Sequence, residues 1–156
     1  ERHHTHLNAV FGRDSAVYVL LNAQGAVVRI EPDVAVVLED PGLVSAHSPA
    51  FLGDGRLAIC SSFRRQILVA DLSSGKIVDR LDLTEFAEVR RIMAAAPDRP
   101  FNRSIFARGL APLAAILEVD LARRELLDVY RHSREVEDAV HGLAVLREDP
   151  APAGGR

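Results

Sequence analysis

The chain has 156 residues, of which 48% are hydrophobic and 26% charged, so it can bury one sizeable core. A net charge of −3 gives no electrostatic reason to expect nucleic acid or an anionic membrane surface. Aromatic content of 5% without Trp argues against stacking platforms for sugars or single-stranded nucleic acid, and no apolar run approaches the ~18 residues of a membrane helix.

The first element in chain order is a strand that opens at a polar residue, His6-Leu-Asn-Ala-Val10, preceded by His3-His4-Thr5. Period-two alternation puts His4, His6 and Asn8 on one face of it. Val27 to Pro32 and Val34 to Leu38 read as a strand and its return. A second opening strand starts at His47-Ser-Pro-Ala-Phe51, and Leu57-Ala-Ile-Cys60 follows with Cys60 as a buried strand thiol. As the single cysteine, Cys60 excludes an internal disulfide and leaves the compartment open. No signal-peptide pattern is visible at the N-terminus, and a cytoplasmic protein is the expectation.

Ile67 to Leu81 and Ile116 to Tyr130 align without a gap, with five of fifteen positions identical, including both aspartates. Each reads as strand, tight polar turn, strand, with Ser73-Ser74-Gly75 and Ala122-Arg123-Arg124 at the hairpin position. Val27 to Pro32 matches Ile67 to Leu72 in apolar pattern, as a weaker third copy. Asp71 and Asp120 match each other and are expected to bond their own turns rather than do chemistry.

Between the hairpins, Asp82 to Ala96 is helical in composition. Asp82 and Glu85 resemble a capping box, Phe86, Val89, Ile92 and Met93 share a face, and Pro97 ends the run. This inserted helix reads as a surface elaboration rather than a lid. A third opening strand starts at Arg108-Gly-Leu-Ala, and His141-Gly-Leu-Ala-Val-Leu146 starts a fourth. His132 and the acids Glu135, Glu137 and Asp138 read as solvated. Residues 149–156 read as a disordered tail behind a domain over 1–148.

His6 and His47 are 41 residues apart, and His47 and His141 are 94 apart, close to twice that. A period in the forties with about four short strands per unit is that of a β-propeller blade. The expected fold is therefore all-β: about three and a half blades of a six-bladed ring, with one inserted α-helix. The third unit is short. From His6 to Val27 there are 21 residues, from His47 to Ile67 there are 20, and from Arg108 to Ile116 only 8. About a dozen residues, one strand and its turn, are lacking, which predicts a missing segment between residues 112 and 113. With a start at Glu1, the chain is expected to be part of something larger, its ring completed by an absent part of the chain or by a second copy.

Ala46 to Ser62 resembles a motif of a bacterial, largely uncharacterised six-bladed propeller-like family, in which Pro-His-Ser-Pro precedes Asp-Gly-(Arg/Lys)-Leu and a strand ending near Ser. His4 to Val10, Phe106-Ala-Arg108-Gly109-Leu110 and Val136 to Leu146 are similar to further motifs of that family, although His141-Gly142 departs from its usual apolar-aspartate pair. More distantly the blades resemble streptogramin-lyase-like and NHL-type propellers. The resemblance implies the propeller fold and leaves the activity open.

In a propeller the first strand of each blade lines the central channel, which would gather His6, His47, Arg108 and His141 at one end, with His4 and Asn8 beside them. Converging imidazoles suit a divalent transition metal, with His4, His6, His47 and His141 as ligands. The leading expectation is a propeller domain that binds a small ligand or metal ion in this His/Arg-lined channel. A lyase or isomerase reading makes His47 the general base and Arg108 the anion stabiliser. The third reading is a protein-interaction scaffold anchored at Ser62-Phe63-Arg64-Arg65-Gln66.

Overall fold

The computed structural model describes residues 7–61, 64–95 and 115–131. Among the described residues, ten strands lie in antiparallel sheets with one α-helix, and no sheet closes into a barrel. The first sheet is a meander of β1 (Leu7–Arg13), β2 (Ala16–Leu21), β3 (Ala26–Glu31) and β4 (Ala35–Glu39). The second repeats that order with β5 (Ala46–Gly53), β6 (Arg56–Ser61), β7 (Gln66–Asp71) and β8 (Lys76–Asp82). The third is a hairpin of β9 (Ala115–Asp120) and β10 (Glu125–Arg131). The expected opening strand at Arg108, the start at His141, the missing segment at 112/113 and the tail at 149–156 lie outside the described residues.

The three layers stack because the middle one is apolar on both faces. Along β6, alternation sends Leu57 and Ile59 one way and Cys60 the other. Leu57, Ile59 and Leu68 meet Leu20, Val27 and Leu38 of the first sheet in a core with every member at most 2% exposed. Burial of each such side chain contributes about 1.5–3 kcal/mol. On the opposite face, Cys60 and Ile67 meet Leu117 and Leu126 of the hairpin around Leu83 and Val89.

Ion pairs link the layers at their outer strands. Arg80 of β8 reaches back to Asp40 at 2.8 Å, while Arg124 of the third hairpin reaches Asp79 at 2.9 Å and also donates to the Arg80 carbonyl at 2.9 Å.

The self-similar hairpins are equivalent in detail. Asp71 pairs with Lys76 and Asp120 with Glu125, and in both the second strand carries one unpaired residue two pairs later, Val78 and Leu127. The Asp71 Oδ1 accepts from the amides of Ser73 and Ser74, and the Asp120 Oδ1 from those of Ala122 and Arg123. Both aspartates are turn residues, as the sequence predicts. The upstream copy is present in a corrected register. Its bulge at Val37 makes Val27–Leu38 the counterpart of Val69–Asp79, so Val27 aligns with Val69, two residues from the expected Ile67. A shift of two keeps every side chain on its face, which is why the apolar pattern does not reveal it.

The inserted helix also differs from expectation. Asp82 caps a 3₁₀ turn over Leu83–Glu85, its carboxylate accepting from the Thr84 amide and hydroxyl. Phe86 is extended (φ −78°, ψ 126°), and α1 begins only at Ala87–Ala95. The same device ends the first sheet, where Asp40 caps Pro41–Leu43 by accepting from Gly42. Asp82 accepts from the second residue of its turn as an N-cap does, and the extended Phe86 then ends that turn, so the α-helix starts afresh at Ala87. The apolar face of the run is nonetheless as read: Val89 and Ile92 are buried, and Phe86 and Met93 pack beside them. The helix is therefore part of the second core and not a surface elaboration.

Candidate functional site

β1 and β5 open the two four-stranded sheets, and each is an edge strand. They lie side by side where the first sheet faces the second. Both depart from regular pairing near their starts. β1 shifts register between Leu7 and Ala9, which makes Asn8 its extra residue, and β5 shifts between His47 and Ala50. Pro49 has no amide to give to a ladder, and Ser48 adopts a left-handed φ of 51°, so the His-Ser-Pro segment builds a bulge.

These irregularities turn Asn8 and His47 towards each other. The Asn8 Nδ2 donates to the Ala46 carbonyl at 2.5 Å and contacts the His47 Nδ1, with the His47 Nε2 at 3.2 Å. A carbonyl only accepts, so the Ala46 oxygen fixes which end of the Asn8 amide is nitrogen. The imidazole nitrogen facing that NH₂ group must then carry a lone pair. Both ring nitrogens lie within reach of that NH₂ group, and either can be the one that accepts. His47 is buried, at 7% exposure.

His47 pairs in register with Cys60 across β5 and β6. A thiol–imidazole nucleophile needs a depressed thiol pKa. Burial pushes the Cys60 thiol the other way, up to about 11, so Cys60 is the strand thiol that the sequence suggests.

Further along, the rings of Phe11 in β1, Tyr18 in β2 and Phe51 in β5 contact one another at centroid distances of 5.6–5.8 Å. The Arg13 guanidinium lies 5.6 Å above the Phe51 ring, within cation–π range. Sequence reasoning missed this trio. Phe11 and Phe51 follow Asn8 and His47 by three and four residues, and that recurrence was the available signal.

Of the residues expected to form the site, His47 and the supporting Asn8 are brought together. His4, His6, Arg108 and His141 lie outside the described residues, as does Phe63 of the scaffold reading. Among the described residues there is no group of three His, Cys, Asp or Glu side chains able to hold a metal ion, and no helix is long and apolar enough to cross a membrane. No family model matches the chain, and neither a curated protein nor a solved structure resembles it significantly.

Proposed function

We propose that the three layers are propeller-type blades in an open array, and that the inner edge of the array binds a small organic ligand at Asn8 and His47. The observation that carries this reading is the pair of bulges in β1 and β5, which aim an amide and an imidazole at one another. Bulges that re-aim side chains beside a site are a common device of edge strands. The His47-Ser48-Pro49 resemblance to the propeller-like family is in keeping with it.

The contact with Asn8 favours an organic ligand over a metal. A metal-bound histidine donates its second ring N–H to a carbonyl, carboxylate or water. Here a ring nitrogen meets the Asn8 donor instead, so its lone pair is already engaged. The same lone pair is what a general base would need, which argues against His47 as the base of a lyase.

A thermal-shift screen with a defined set of carboxylic acids, amino acids, sugars and nucleotides tests the proposal. The expected result is a rise in Tm with at least one class that is lost in both His47→Ala and Asn8→Ala. A screen with no response, or a response that both variants keep, would overturn it. Stoichiometric zinc or nickel in untagged protein, lost in His47→Ala, would restore the metal reading in its place.

A further inference from the structure

Towards the C-terminal ends of β1 and β3, the face of the first sheet that meets the second carries rings and arginines together. Phe11 pairs with Tyr18 and Tyr18 with Arg29, so the three side chains form one row across β1, β2 and β3. Two residues beyond Phe11, Arg13 leaves from the same face and lies over the Phe51 ring. Phe11, Tyr18 and Phe51 are half-buried, and they form the margin of the first core. Each ring therefore keeps part of its surface in water.

Arg29 is only half satisfied. Its Nη2 donates to the Asp33 Oδ1 at 2.7 Å, while the adjacent Nε is buried and has no hydrogen-bond partner. Nε and Nη2 share one edge of the guanidinium plane, spaced to grip two oxygens of one carboxylate or phosphate. Asp33 uses half of that edge and leaves a desolvated donor beside it, which folded proteins rarely tolerate. Asp33 lies between β3 and β4 with its side chain 66% exposed, so it can turn out into water at little cost. The other acids nearby do not take its place. Glu31 pairs with Val17, the neighbour of Tyr18 in β2, and so faces the other side of the sheet. Asp14 is exposed and stands 3.8 Å from the Arg13 Nε.

We infer that this row binds an aromatic oxyanion. The carboxylate or phosphate of the ligand displaces Asp33 and accepts from both Nε and Nη2 of Arg29, and its ring lies against Tyr18 and Phe11. Arg13, on the far side of the cluster over Phe51, adds a second positive charge that draws the anion in. The rings are what make the ligand aromatic. Asp33 is tethered four residues from Arg29 and competes at high effective concentration, so a bare oxyanion gains little by replacing it. A ligand that also covers apolar ring surface gains the difference. The row lies further along β1 than Asn8, and the inference does not rest on the ligand proposed there.

Isothermal titration calorimetry with benzoate, phenyl phosphate, acetate and inorganic phosphate tests it. At least one of the two aromatic anions should bind, and about tenfold or more tighter than its counterpart without a ring. Arg29→Lys keeps the charge but loses the two-pronged edge, and it should weaken that binding by more than about tenfold. Asp33→Asn removes the competing carboxylate and should strengthen it about two- to fivefold, the worth of an exposed ion pair. Both substitutions are conservative and lie at the sheet margin, so the variants keep the circular dichroism of the parent. Four results overturn the inference: no binding of either aromatic anion, equal binding of the ringless ones, indifference to Arg29→Lys, or an Asp33→Asn variant that binds no tighter than the parent.

Discussion

Gly75 and Arg124 occupy the same place in two equivalent hairpin turns, with φ of 65° and 56°, and each leans on the sheet before it. A Cβ on Gly75 would lie 3.1 Å from the Val37 carbonyl oxygen, whereas Arg124 bonds the Arg80 carbonyl and Asp79. One turn uses the absence of a side chain to approach its neighbour, and the other uses a long side chain to reach it.

Gly75→Ala is therefore expected to destabilise the protein by about 1–2 kcal/mol, from the left-handed backbone and the close approach together. Arg124→Gly relieves the backbone but removes an exposed ion pair, and the two effects leave stability within about 1 kcal/mol of the parent. Urea unfolding of both variants checks the contrast, and a neutral Gly75→Ala would contradict the close packing.

Leu57 is fully buried in the first core, and Leu127 is about half exposed at a bulge. Leu57→Ala should cost about 2–5 kcal/mol through lost burial and the cavity left behind. Leu127→Ala should stay within about 0.5 kcal/mol. Equal costs would mean that the layers are not mated as described.

The Cys60 thiol should be nearly inert in the folded protein. With its pKa raised from 9.0 to about 11 by burial, it carries roughly a hundredfold less thiolate at neutral pH than an exposed cysteine. The unfolded chain loses this proton first as pH rises. The Cys60 contribution to stability is thus complete below pH 9 and declines towards pH 11. Ellman's reagent should react slowly with native protein and rapidly in urea, and fast native reaction would disprove the burial.

Asp71 has its carboxyl pKa held below the ordinary value by the Ser73 hydroxyl first, then by the Ser73 amide, with Ser74 adding less. A depressed carboxylate stabilises above its unfolded pKa, and that contribution is lost as pH falls through the lower folded value. Asp71→Asn should therefore flatten the acid limb of the stability curve below about pH 4. An unchanged acid limb would show that the turn bonds carry no pH dependence.

How much of this was legible in the sequence follows from which features leave a pattern. The paired hairpins did, because their aspartates recur at matched positions before and after each turn. The bulges at Val37, Val78 and Leu127 did not, since an apolar residue pushed out of a ladder still looks like strand. Arg124 in a left-handed turn carried no warning, where Gly75 did. For the site, the spacing of His6, His47 and His141 drew attention to His47, while the bulge that Pro49 builds beside it went unread. The contact of His47 with Asn8 bridges 39 residues and depends on how two sheets stack, which no local spacing encodes.

Asp79 and Arg80 are consecutive on β8, so their side chains leave opposite faces of the strand. One holds the hairpin that follows through Arg124, and the other holds the sheet that precedes through Asp40. A slip of β8 by a single residue would exchange the two faces, placing an arginine against Arg124 and an aspartate against Asp40. Both attractions would become repulsions in the same step. The dipeptide thus checks strand register and layer order together, and it penalises a misthreaded β8 on both sides at once.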